Sequence, residues 1–123
     1  MGTVRLISNA ENIAAVDTVT FADTWASADT VTSTMNGKAH VVTMGTAVTT
    51  AATAATAFKK SRNGTAPSAN EFTVNFDAAS EGEFAEITAT VDSTGLIVSL
   101  TGDTPGKPFT DVVTSSTAGD GTT

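Results

Sequence analysis

The sequence predicts a mainly β fold of the α+β kind: antiparallel sheets in a sandwich-like arrangement, with one Ala-rich helix packed on them. Three observations predict it. Apolar and β-branched residues alternate at a spacing of two in several short segments, the period of a half-buried strand. Turn signals separate paired segments, the clearest being Asn36-Gly37. A single run of small residues, 49–62, breaks the alternation and recurs at helical spacing.

In chain order, residues 1–15 (MGTVRLISNAENIAA) show no clean period and read as an N-terminal arm, with Leu6, Ile7 and Ile13 as its apolar anchors. Residues 16–21 are rich in β-branched side chains and place Val19 and Phe21 on one face. Residues 30–35 put Val31, Ser33 and Met35 together. Asn36-Gly37 then supplies the positive φ angles of a tight hairpin, and residues 40–44 return as the partner strand. Ala51, Ala52, Ala55 and Phe58 or Lys59 define the helix. Thr49 or Thr50 is placed to cap its start, and Asn63-Gly64 to stop it. Lys59, Lys60 and Arg62 lie near the negative end of its macrodipole. Phe72, Val74 and Phe76 alternate within an extended stretch, 71–76, followed by an acidic segment, 77–86. Ile87, Ala89 and Val91 face one way. Asp92-Ser93-Thr94-Gly95 turns the chain, and Leu96, Val98 and Leu100 face one way again, giving a second hairpin. Thr104-Pro105-Gly106-Lys107-Pro108 is a rigid loop, 109–114 a last strand, and 115–123 a polar tail. The chain therefore divides into an arm (1–15), one β-rich domain (16–114) and a tail (115–123).

Composition narrows the function classes. Of 123 residues, 12 are Val, 4 Ile, 3 Leu and 6 Phe, against 25 Thr and 20 Ala, so the core is light in large apolar side chains. No 18-residue apolar run is present, and no charged segment followed by an apolar one opens the chain, so neither a membrane partner nor a secretory leader is expected. The absence of Cys removes disulfides, zinc-thiolate sites and thiol nucleophiles. A net charge of −7 is the wrong sign for a nucleic-acid partner. That charge is uneven. Residues 1–60 carry four acids and four bases, whereas 61–123 carry nine acids and two bases.

No residue set makes a catalytic, cofactor or metal site, and none is assigned. His40 is the sole imidazole and cannot form a multi-His metal site. No Gly-x-Ser-x-Gly elbow supports a Ser-His-Asp arrangement, so a structural or surface role fits His40 best. Asp77, Glu81, Glu83 and Glu86 offer carboxylates for Ca²⁺ but lack the spacing of a calcium loop, and read as a solvated segment. Trp25 is either an anchor for a partner or a ring closing one end of the core. Asn63-Gly64-Thr65 matches a glycosylation acceptor and reads as a turn.

The order of motifs resembles a small domain of tailed phages and phage-like gene clusters, a virion- or tail-associated family. The resemblance rests on Val16-Asp17-Thr18-Val19-Thr20, on Ala28-Asp29-Thr30-Val31-Thr32 followed by Asn36-Gly37, and on the Ala/Thr helix of 51–58. It continues through residues 83–90 and 96–101 to Thr104-Pro105-Gly106-Lys107-Pro108-Phe109-Thr110, and covers about 16–120. The stretch between Arg62 and Glu81 is longer than the family pattern. The resemblance implies no catalytic residues. It implies a structural protein of the virion, read here as a small decoration or cement protein on the capsid surface, assembled in the host cytoplasm. Its expected partners are the major capsid protein, other virion subunits and further copies of itself, as a homo-oligomer such as a trimer. Arg5, Leu6, Ile7 and Trp25 are the expected partner contacts. The alternative is a tail or fibre module that binds host-surface glycan or receptor through Trp25, Phe72 and Phe76.

Overall fold

The structure is a computed structural model that describes residues 15–35, 37–103 and 112–116. Its strands are β1 (Val16–Thr20), β2 (Thr30–Met35), β3 (Lys38–Met44), β4 (Phe72–Val74), β5 (Ile87–Val91), β6 (Ile97–Gly102) and β7 (Val112–Ser116). The helix α1 (Ala51–Asn63) lies between β3 and β4 in the chain, and two 3₁₀ turns, Ala78–Ser80 and Gly82–Glu86, lead into β5. The strands form a three-stranded sheet, β1-β6-β5, and a four-stranded sheet, β4-β3-β2-β7, with every pair antiparallel. This is the mainly β, α+β architecture with one packed helix.

Both hairpins form where the turn chemistry places them. Across Asn36-Gly37, β2 pairs with β3 from Met35↔Lys38 to Thr30↔Thr43, and Gly37 takes the left-handed φ of 79°. Across Asp92–Gly95, β5 pairs with β6 from Val91↔Val98 to Ile87↔Gly102. The turn is closed by the Asp92 carboxylate, which accepts from the Thr94 hydroxyl at 2.6 Å and the Ile97 amide at 3.3 Å.

The helix is delimited as its ends predict. Thr50 is the N-cap: its hydroxyl accepts from the Thr53 amide at 3.1 Å, while the Thr53 hydroxyl accepts from the Thr50 amide at 3.0 Å. At the other end Gly64 adopts φ 72°, and the Thr65 amide reaches back to the Lys60 carbonyl at 2.9 Å. A Cβ at Gly64 would stand 2.5 Å from that of Ala79, so the position needs glycine for space as well as for backbone. Ala54, Ala55, Ala57 and Phe58 are buried, and the helix touches β5 and β6 of one sheet and β3 of the other. Small side chains allow this approach, and the inner faces of both sheets share one core with the helix.

Several expected positions shift. Val31, Ser33 and Met35 are all buried, as alternation requires. Val74 and Leu96, expected on inner faces, are exposed: Val74 lies on an edge strand, and Leu96 precedes β6 rather than opening it. The last strand covers Val112–Ser116, later than expected, and takes in the start of the expected polar tail. The 104–108 loop lies outside the described residues, as do Arg5, Leu6 and Ile7 of the arm.

Candidate functional site

Trp25 is the one expected partner contact that falls among the described residues, and it does not reach the surface. It is 1% exposed, its indole N–H donates to the Ala22 carbonyl at 2.9 Å, and its ring lies 5.6 Å from that of Phe21. A bridge between Thr24 and Thr50 and a bond from the Trp25 amide to the Thr49 carbonyl pin this segment to the start of α1. The ring therefore closes the core instead of standing out as an anchor. Phe72 is buried as well and Phe76 half-buried, so the aromatic platform that glycan binding needs is not exposed at these three positions.

The most polar place in the interior lies under the second 3₁₀ turn. Arg62, expected near the negative end of the helix macrodipole, lies in the last turn of the helix and is 1% exposed. Its guanidinium donates to the Ser33 hydroxyl, approaches Met35 Sδ at 3.6 Å and lies 5.0 Å from the centre of the Phe84 ring. Ser33 faces His40 across the β2–β3 ladder. The His40 ring is wholly buried, edge-on to Phe76 at 4.9 Å and tilted against Phe84 at 5.8 Å, with Nε2 3.1 Å from the Phe76 carbonyl oxygen that accepts its proton. The signal in the sequence was Ser33, a hydroxyl on an otherwise apolar face, which marks a buried polar partner. Packing on all sides makes this cluster a polar core that orients β2, β3 and α1.

The acidic segment is partly used by its own turns. Asp77 accepts from the Ala79 amide at 3.0 Å and the Ser80 hydroxyl at 3.1 Å, capping the first 3₁₀ turn, and Glu81 pairs with Lys38 at 2.9 Å. Among the described residues no three His, Asp or Glu side chains come together as a metal site.

Main-chain groups are also presented at the sheet edges, and side chains take up some of them. On β5 the Asn63 side chain imitates a peptide: its Oδ1 accepts from the Ala89 amide and its Nδ2 donates to the Ala89 carbonyl, each at 2.8 Å. On β3, beyond the end of β4, Asn75 does the same, accepting from the Val41 amide at 2.9 Å and donating to the Ala39 carbonyl at 3.0 Å. On β1 the Asp17 carboxylate takes the Thr18 amide at 3.0 Å. Such plugs protect an edge against unwanted pairing. On β4, bonds from Gly45 to Glu71 and from Asn75 to Val41 set the ladder so that Thr73 points its main chain at β3. Phe72 and Val74 then aim theirs outward, where no described residue takes them up.

Beside this open edge, on the core side, lies a hollow of about 180 Å³ between β4 and the 64–67 segment that leaves the helix. Phe72, Val74, Ala66 and Pro67 give it apolar walls, and Asp77 is the one charged residue lining it. The edge and the hollow together have the form of a sheet lacking a strand. Comparison with protein-family models, with curated proteins and with solved structures finds no match to the chain.

Proposed function

We propose that the chain is a non-catalytic structural subunit of a bacteriophage particle, a small decoration protein that cements the capsid shell. The observation that carries this reading is the open edge of β4 beside its apolar hollow, in a fold that plugs β1, β3 and β5 with side chains. An edge of this kind takes an extended segment from a neighbour by strand addition, a mode suited to tying subunits together. Two further features support it. The core, in which Ala and Val make up about half of the buried apolar residues described, gains stability when neighbours bury more of the surface around it. The motif order of 16–120 resembles that of a virion-associated phage family.

The test is the protein content of purified particles of the phage that carries the gene, with shells and tails separated. The chain is expected in the shell fraction, in many copies, and removing it is expected to lower the temperature at which shells rupture. Finding it with the tails alone would assign it there. Finding it free in the lysate and absent from both would sink the structural reading.

A further inference from the structure

We infer that the strand missing from β4 is supplied by residues 3–7 of a second copy, Thr3-Val4-Arg5-Leu6-Ile7. The inference rests on the assembly role just proposed and names the partner at that edge. The outward N–H and C=O of Phe72 and Val74 require main-chain groups in extended conformation. The hollow beside them requires an apolar side chain from an inward-facing position of the added strand. Residues 3–7, outside the described residues, meet both needs. They are rich in strand-forming side chains, and Val4 and Leu6 share a face at strand spacing. Charge agrees in sign: Arg5 is the only charged side chain among residues 1–10 and, at strand spacing, projects from the face opposite Val4 and Leu6, while residues 61–123, which include β4, carry nine acids and two bases.

The chain has no Cys, so single-cysteine variants report the contact directly. Full-length Leu6→Cys and Val74→Cys chains, mixed under mild oxidation, are expected to give about tenfold more disulfide-linked heterodimer than Leu6→Cys mixed with Thr32→Cys, because docking raises the local concentration of one pair only. Thr32 lies away from this edge, on the β2 strand inside the sheet. Equal yields from the two mixtures would overturn the inference. So would a Leu6→Cys/Val74→Cys double variant that closes its disulfide within one chain, which would mean that the arm folds onto its own edge.

Val74→Pro gives a second readout. The Val74 N–H points away from β3, so its loss spares the chain's own ladder and removes a donor that an added strand needs. Sedimentation is expected to show concentration-dependent self-association of the unsubstituted chain and its loss in Val74→Pro, with melting temperature retained. An unsubstituted chain that stays monomeric at every concentration overturns the inference, as does a folded Val74→Pro chain that still associates. If Val74→Pro does not fold, the cysteine pairs decide. A chain that binds shells but fails both tests keeps the proposed function and loses only this partner.

Discussion

Ala28 holds a left-handed backbone, φ 76°, in the turn before β2, a conformation that costs an L-residue with a Cβ. The turn tolerates it because the Ala28 amide donates to the Met44 carbonyl at 2.8 Å and the Asp29 carboxylate takes the Ala26 amide at 2.9 Å. Ala28→Gly is expected to raise stability by about 0.5–1 kcal/mol, the relief of strain exceeding the extra freedom of the unfolded chain. Denaturant midpoints check this, and a loss of stability would show that the side chain has a packing role. Asn63 makes the opposite case, a side chain whose two bonds to Ala89 fasten the end of α1 to β5. Asn63→Ala is expected to cost about 2 kcal/mol and to speed amide exchange at Ala89. Asn63→Asp is expected to rescue little, since a carboxylate accepts from the Ala89 amide but faces the Ala89 carbonyl with a second acceptor. The same bonds leave the acceptor sequence Asn63-Gly64-Thr65 with its amide already engaged.

At the scale of elements, the β5–β6 hairpin carries the pH dependence that the structure defines. Asp92 is held below its ordinary value of 3.8, first by the Thr94 hydroxyl and then by the amides of Ile97, Leu96 and Gly95, which together outweigh an opposing desolvation effect. A depressed carboxylate stabilises the fold above its unfolded value, and that contribution disappears as pH falls through the folded value. Asp92→Asn is therefore expected to be less stable than the unsubstituted chain at pH 6, with the gap closing below pH 3.8. Denaturant midpoints at pH 6 and at strongly acid pH measure it, and a gap independent of pH would refute the assignment. The helix depends on its surroundings in another way. Its first seven residues are all Ala or Thr and alone it would be marginal; its 13 residues persist because Thr50, Thr53 and Gly64 satisfy its ends while both sheets bury its small face.

At the scale of the molecule, one core joins both sheets and the helix, and Trp25, the chain's only Trp, is inside it. Trp25 fluorescence is expected to be blue-shifted and to melt in step with the far-ultraviolet circular dichroism of the strands. Two separate transitions would mean that the sheets unfold independently. Much of this architecture was legible in the sequence. The alternation of Val31, Ser33 and Met35, the Asn36-Gly37 and Asp92–Gly95 turns and the capped Ala run are local features, and local backbone preference together with periodic burial is enough to place them. What the tertiary structure decided is non-local. That Arg62 is buried depends on Ser33, 29 positions away, facing it from another element. That Trp25 turns inward depends on the start of α1 closing over it. Which strands lie at the sheet edges depends on strand order: β4 and β7 are the outer strands of a sheet whose members come from distant parts of the chain, and the hollow described beside an outer strand lies at β4. Periodicity tells a strand which face to bury, whereas its neighbours are chosen by the packing of the whole chain, and it is the missing neighbour of β4 on which the proposed function stands.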